Sequence, residues 1–487
     1  MIQGFDPRTG EPVGEPVAET TDTEVDALVA AAAAAFPAWG SDAAQPVRVA
    51  ALEAVADALD ARAGELAAIA DTETALGGER LIGEVARTTG QLRLFAAVLL
   101  DGGYADAAFT AAEGVVPDLR RINRPVGPVA VFAASNFPFA FSVAGSDTAS
   151  ALAAGCPVVV KAHEGHPVTS DLTAEIVAGA LASAGAPAGT FGLVHGVDAG
   201  LRLLQHPAIA AAGFTGSTAG GLFLAGVAAR RPVPIPFYGE LGSANPCVVL
   251  PGAAFARPAG IATGYAGSLT LGAGQFCTNP GLLFVPEDVG LLAAIAEAAG
   301  ASAGGAMLSA RIFAGYESAV AEAVGHPAVT ELAVGQPGPG PWGATPRVFQ
   351  VTLKEFAADL AVLSRERFGP AGLVITYPSV EDLLPVLAAL PGNLVGTVHV
   401  DTDSPEDLDL GRPVVAVLER VTGRIVANGW PTGVAVVHAQ HHGGPYPATT
   451  VPAYTSVGTA AIRRWLIPVA YQNFPPALLP PALRTDT

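Results

Sequence analysis

Between two glycine turns, in Gly272-Ala273-Gly274-Gln275-Phe276-Cys277-Thr278-Asn279-Pro280-Gly281, a cysteine sits among glycine, amide and hydroxyl neighbours. Such neighbours leave backbone N–H groups free to point at a thiolate, or at an oxyanion formed beside it, which is a nucleophile's setting. Spacing alone leaves open whether Cys277 is that nucleophile or an ordinary turn cysteine. The other two cysteines each open an apolar run, Cys156 before Pro157-Val158-Val159-Val160 and Cys247 before Val248-Val249-Leu250, and both are expected as inert core thiols. Glu240, in Tyr238-Gly239-Glu240-Leu241-Gly242, has apolar and glycine neighbours. A carboxyl in such company is either paired or poised as a base with a raised pKa; the alternative is a solvated, idle side chain. Lys161 and Lys354 are the only lysines among 25 basic residues, so Arg is the default cation and a compact ammonium at Lys161 suggests a purpose. Thr215-Gly216-Ser217-Thr218 opens a helix and could seat a phosphate or simply cap the helix. His441-His442 lacks the other ligands of a metal site, and no metal is expected.

The elements that must position these residues fall into two series. Thr21-Asp22-Thr23-Glu24 offers a capping box to a helix running to about Pro37, and the segments 47–72 and 78–100 repeat apolar residues at helical spacing (Leu52, Val55, Leu59; Leu92, Phe95, Val98). From Pro128, short apolar runs at 129–132, 158–160, 191–194 and 209–214 alternate with helical stretches at about 143–154, 169–184, 198–206 and 218–230. That is a βαβ series with little alternation inside each strand, hence a doubly wound parallel sheet covered on both faces, with ligands collecting at its carboxyl edge. No G-x-G-x-x-G follows any of these strands. A second αβ series runs from 246 to about 438, interrupted by the connector 335–341; 475–487 is a proline-rich tail.

At 487 residues two or three packed domains are expected. A net charge of −19 with no Lys/Arg cluster argues against nucleic acid and against an anionic membrane surface. Three unpaired cysteines suit a reducing compartment, and the first residues show neither a basic nor an apolar leader, so a cytoplasmic protein is expected.

Taken together, Ser135-Asn136-Phe137-Pro138, Lys161 with Glu164, Phe214-Thr215-Gly216-Ser217, Glu240-Leu241-Gly242, Gly274-Gln275-Phe276-Cys277-Thr278 and Glu366-Arg367-Phe368-Gly369-Pro370 resemble the aldehyde dehydrogenase superfamily in order and spacing. Asn428-Gly429-Trp430-Pro431-Thr432-Gly433-Val434 and His442-Gly443-Gly444-Pro445-Tyr446-Pro447 are most similar to its α-ketoglutaric semialdehyde (2,5-dioxovalerate) dehydrogenase group. The resemblance implies an α/β fold of two doubly wound parallel-sheet domains with a β oligomerisation flap. It divides the chain into helices of the nucleotide-binding domain (1–115), a flap strand (116–127), the nucleotide-binding sheet (128–238), the catalytic domain (239–439), a return to the nucleotide-binding domain (440–464) and a flap strand with tail (465–487). A homodimer follows from joined flap strands, with a tetramer as the alternative.

The resemblance further implies NAD(P)-dependent oxidation of an aldehyde. Cys277 would attack, the Asn136 amide and the Cys277 N–H would hold the oxyanion, and water activated by Glu240 would hydrolyse the thioester. The cofactor would be held by Ser217 at the pyrophosphate, Lys161 and Glu164 at the adenine ribose, Glu366 at the nicotinamide ribose and Phe368 beside the nicotinamide, with Ser135, Phe214, Thr215, Gly216 and Leu241 around it. NAD is preferred over NADP, because Glu164 would repel a 2′-phosphate. A cofactor-free cysteine hydrolase lacks a histidine placed as its base, and an idle dinucleotide-binding protein would not need Asn136, Glu240 and Cys277 together. Two arginines of the group's pattern are replaced, by Val85 and by Val451-Pro452-Ala453. An uncharged aldehyde, met by Tyr454, Phe137 and Phe139, therefore ranks above an oxo-acid semialdehyde, for which Arg87 and Arg93 remain as carboxylate partners.

Overall fold

The structure, a computed structural model, describes residues 1–287 and 290–484; positions 288, 289 and 485–487, the last being the end of the proline-rich tail, lie outside that description. Thr21 caps the first long helix, Asp22–Trp39, through the reciprocal box with Glu24. The helix continues two residues past Pro37, because a proline in the last turn forfeits little ladder and the extra turn buries Trp39 completely. Gln45–Ala61, Ala63–Thr74 and Gly78–Asp101 follow, turning Leu52, Val55, Leu59, Leu92 and Phe95 into one core.

The predicted βαβ series folds as a five-stranded, all-parallel sheet. Its order is Phe191–Val194, Val158–Lys161, Val129–Phe132, Ala211–Thr215, Phe237–Glu240. The chain starts in the middle strand, builds outward on one side and returns to build on the other, so a switch point opens between Val129–Phe132 and Ala211–Thr215. Register places Phe132 opposite both Lys161 and Phe214, and Thr215 opposite Glu240. Four of the chemically interesting segments therefore end along one carboxyl edge.

The second series forms a seven-stranded sheet in the order Thr330–Val334, Arg347–Thr352, Ala371–Tyr377, Leu282–Pro286, Pro246–Val249, Asn393–His399, Thr422–Ala427. Only Thr330–Val334 runs antiparallel to its neighbour. A third sheet joins Leu466–Gln472 to Leu119–Pro125, with Ile467 opposite Arg124 and Tyr471 opposite Arg120. Its third strand, Ala108–Thr110, and the hairpin Ile2–Phe5 with Pro12–Val17 stand where the sequence reading has only helices and turns. Strands of three to six residues broken by Gly and Pro carry too little period to register.

Candidate active site

The Cys277 loop is shaped by three successive residues in the left-handed region, Gly272, Ala273 and Gly274, at φ of 55°, 57° and 68°. Only glycine fits at 274, where a Cβ would come within 2.2 Å of the Gly369 carbonyl carbon. The buried Gln275 side chain anchors the turn, accepting from Leu308 N (2.9 Å) and donating to Gly272 O (3.2 Å). Asn245, itself left-handed at φ 50°, donates through Nδ2 to the carbonyls of Cys277 and Asn279, both at 2.9 Å. The half-buried Cys277 is thus held by its own carbonyl, while Cys156 and Cys247 are fully buried thiols pushed up to about 12 by burial.

Beside Cys277 lie two buried groups from distant parts of the chain. His442 Nε2 stands 3.6 Å from the Cys277 Sγ and 2.9 Å from Glu240 Oε1, and Ser456 Oγ donates to Glu240 Oε2 at 2.6 Å. Burial alone would raise the Glu240 carboxyl. The charge and hydrogen bond of His442, with the hydrogen bonds of Ser456 and Cys277, outweigh it and hold Glu240 below the usual carboxylate range. Of the three readings open for Glu240, the paired one describes this state. Cys277 is driven the other way: burial first, then the Glu240 charge, push its thiol well above the ordinary value. An ionised Glu240 requires the proton on His442 Nε2, so that N–H faces carboxylate and sulfur together. The sequence reading found no histidine for a cysteine base and no ligands for His442; the fold brings Cys277, Glu240 and His442 within 4.8 Å of one another. The imidazole serves here as a donor. Its Nδ1 is buried without a partner among the described residues.

Asn136 is buried in the loop after Val129–Phe132, and its Nδ2 donates to Gln275 O at 2.9 Å, leaving the second N–H of the amide uncommitted to that bond. Helix Gly78–Asp101 fixes this loop from behind. Arg80 donates to Asn136 O (2.8 Å), and buried Glu84 accepts from the N–H groups of Phe139 (2.9 Å) and Ala140 (3.0 Å). Neither Arg80 nor the Glu84 clamp was read from sequence, because a single polar residue on an apolar helix carries no signal.

A cavity of about 470 Å³ opens from Cys277 and Glu240 along the switch point. Ser135, Asn136, Thr215, Gly216, Ser217, Leu241, Glu366 and Phe368 also wall it, with helix Ala310–Gly325 opposite. Ser217 does cap helix Thr218–Ala229, accepting from Gly220 N at 3.3 Å, and its own hydroxyl proton stays available. Burial pushes Glu366 up to about 7, against a hydrogen bond from Ser243 N–H. Gly242 faces it so closely that a Cβ would meet Glu366 Oε2 at 2.3 Å. These features fit a dinucleotide: a roomy cleft, a helix start whose Ser217 hydroxyl proton is available, and a carboxyl close to that helix start and within electrostatic reach of Cys277. Phe214 does not line this cavity; it packs between Phe132 and Phe237. Lys161 and Glu164 are hydrogen-bonded to each other beside it, so Glu164 does not stand as the free, repelling carboxylate on which the NAD preference was built.

On the other side of Cys277, Arg93 is lost as a carboxylate partner, since Asp57, Asp60 and Glu53 hold it at the surface. Phe139 is buried in the core and does not match the apolar entrance expected of it, whereas Tyr454 packs on Tyr238 and lines a small cavity that Glu240 and His442 also wall. Arg87 stays at the site. Its guanidinium lies 5.7 Å from the Phe137 ring centre and 5.3 Å from that of Phe141, with Nε buried and unpaired among the described residues. Arg87 and Arg424, the latter donating to Gly433 O and Pro431 O, are both within electrostatic reach of Cys277.

A sequence model described as the aldehyde dehydrogenase family matches residues 1–437. The chain is 45% identical to α-ketoglutaric semialdehyde dehydrogenase 2 of Azospirillum brasilense, over 99% of this chain and 93% of that one. It is 39% identical to α-ketoglutaric semialdehyde dehydrogenase of Acinetobacter baylyi, with the same coverage. The fold superposes on aldehyde dehydrogenase C of Pseudomonas syringae, solved as a cysteine-to-alanine mutant with NAD⁺ and octanal, at a TM-score of 0.80 and 24% identity, over 98% of this chain and 94% of that one.

Proposed function

The chain belongs to the aldehyde dehydrogenase family and carries out NAD(P)-dependent aldehyde oxidation, and from that premise we propose that it converts an oxo-acid semialdehyde to the dicarboxylic acid by a hydrolytic route through Cys277. The observation that carries this reading is the Cys277–His442–Glu240 cluster at the end of the dinucleotide-sized cavity. Glu240 accepts the thiol proton, and the His442 Nε2–H steadies the thiolate as it forms. Sulfur then bonds to the carbonyl carbon, and the oxyanion is held by the free Asn136 N–H and the Cys277 backbone N–H, a donor of this kind being worth roughly 10²–10³ in rate. A bound nicotinamide supplies the hydride acceptor. Loss of the hydride restores the C=O as a thioester on Cys277. Glu240, its first proton released to solvent, takes a proton from water, which attacks the thioester, breaks the C–S bond and frees the acid.

Arg87 supports the charged substrate. It is a cation beside the nucleophile with an uncommitted N–H, and a charge-assisted hydrogen bond contributes about 1.5–3 kcal/mol. Together with the two relatives named for α-ketoglutaric semialdehyde, this reverses the sequence-based order of substrates. The test compares kcat/KM for α-ketoglutaric semialdehyde and a medium-chain aldehyde, followed at 340 nm. A ratio above about tenfold, ~1.4 kcal/mol, in favour of the semialdehyde is expected, together with its loss in Arg87→Leu. Equal or reversed values overturn the substrate, and turnover that needs neither cofactor would instead establish the cysteine hydrolase.

A further inference from the structure

Arg311 stands on helix Ala310–Gly325 and lines the same cleft as Gly216 and Ser217. It lines the dinucleotide cavity and also an adjoining cavity of about 250 Å³ whose wall includes Glu164 and Gly165. In a chain with 44 acidic and 25 basic residues, most arginines described above have a carboxylate or carbonyl partner. Arg311 is exposed and has no hydrogen bond or ion pair among the described residues. Its charge nevertheless reaches Lys161, His163 and Glu164.

The charges at this corner can be counted. Lys161 and Glu164 are paired and cancel. His163 is buried and stacked on His166, and desolvation with the neighbouring positive charges keeps it neutral. Arg311 is the remaining whole charge, and it is solvated and unspent. A neutral corner would suit a ribose with a free 2′-hydroxyl. A corner with one spare guanidinium suits a phosphomonoester, which Arg meets with two parallel N–H groups.

We propose that Arg311 is a specificity-determining residue that reaches across the cleft to the 2′-phosphate of NADP, so that the enzyme takes NADP at least as readily as NAD. This rests on the dinucleotide reading of the cavity given above. It revises the expectation built on Glu164, whose charge Lys161 has already answered.

The shared chemistry, a phosphate beside a ribose, has two sources in the cofactor, and fragments separate them. Dissociation constants for NADP, NAD, 2′-AMP and 5′-AMP would be measured by calorimetry on the wild type, Arg311→Ala and Arg311→Lys. Arg311→Ala should weaken NADP and 2′-AMP about tenfold or more and NAD and 5′-AMP less than about threefold, with Arg311→Lys recovering part of the loss. Parallel losses for NAD and NADP would place the guanidinium on the pyrophosphate and overturn the proposal. No loss for either would overturn it too. A wild-type chain that bound neither dinucleotide would sink the cavity's reading itself, a different result from an unselective Arg311. An unchanged melting temperature in the variants excludes a folding defect.

Discussion

A thiol beside a buried carboxylate is a weak nucleophile until its proton has somewhere to go, and the site supplies that place and a counter-donor together. In Glu240→Gln the acceptor for both the thiol and the water is gone. The expected outcome in stopped-flow is a single burst of reduced cofactor, slower than in the wild type and faster as pH rises, followed by a stall. Steady turnover at the wild-type rate would remove Glu240 from both steps. His442 acts through its Nε2–H, so His442→Phe should raise the pH midpoint of Cys277 alkylation by iodoacetamide by about one unit or more, with His442→Gln, which keeps an N–H, in between. A midpoint equal to that of the wild type would reduce His442 to a packing residue. Glu366 gives a third test. Its carboxyl is raised to about 7 by burial, so the protonated form is favoured in the fold, and stability is lost as pH climbs from the unfolded value near 4.5 through about 7. Ribose hydroxyls donate more strongly to the ionised carboxylate than to the protonated form, whose carbonyl oxygen accepts more weakly. Cofactor affinity should therefore tighten as pH rises through about 7 and level off above it, and Glu366→Gln should flatten the curve.

At the scale of elements, the sequence was most legible where period and punctuation agree. The strands at 129–132 and 191–194 fall where the apolar runs put them; both faces of 129–132 are covered, which explains why no alternation appears there, whereas in 191–194, at the sheet's edge, burial alternates. The nucleophile's loop was legible as chemistry but not as geometry. Nothing in Gly-Ala-Gly announces three left-handed residues in succession, or that Gly369 packs against Gly274 from 95 positions away. Hence Gly274→Ala should be costly twice over, in φ, roughly 1–2 kcal/mol, and in a clash with backbone that cannot give. A drop of several degrees in Tm with about 10²-fold lower kcat/KM is expected, since Cys277 lies three residues on. Gly267→Ala, in helix Pro258–Thr270 with open space around it, should be neutral or up to about 1 kcal/mol stabilising. Equal effects of the two would show that the loop tolerates distortion. His442 and Ser456 were missed for a related reason: their partner Glu240 is 202 and 216 residues earlier, and only the return of 441–457 to the sheet edge, with Leu241 N on Ala448 O at 2.8 Å, brings them together.

At the scale of the whole molecule, the three-stranded sheet ends on a long edge whose shape asks for something outside the chain. Leu466–Gln472 pairs along one side with Leu119–Pro125, and among the described residues its other side has no strand. An open edge of seven residues, with Ile467 half-exposed, invites pairing, and Pro468 is the sort of residue found on edges. A net charge of −19 opposes indiscriminate association, so a specific partner is favoured over aggregation. A second copy of this chain presents the same edge and can satisfy it with two-fold symmetry. The flap is also tied to the five-stranded sheet's domain: Trp465, next to the strand, donates to Ser150 Oγ at 2.8 Å, and Leu119–Pro125 runs almost directly into Val129–Phe132, the strand before the loop that carries Asn136. We therefore expect sedimentation equilibrium to give about twice the 48.8 kDa chain mass, and Ile467→Lys with Ala470→Lys to return it to one chain, like charges across a two-fold edge being mutually repelling. A wild-type chain that sediments as a monomer would mean the edge is guarded by its own proline and charge alone.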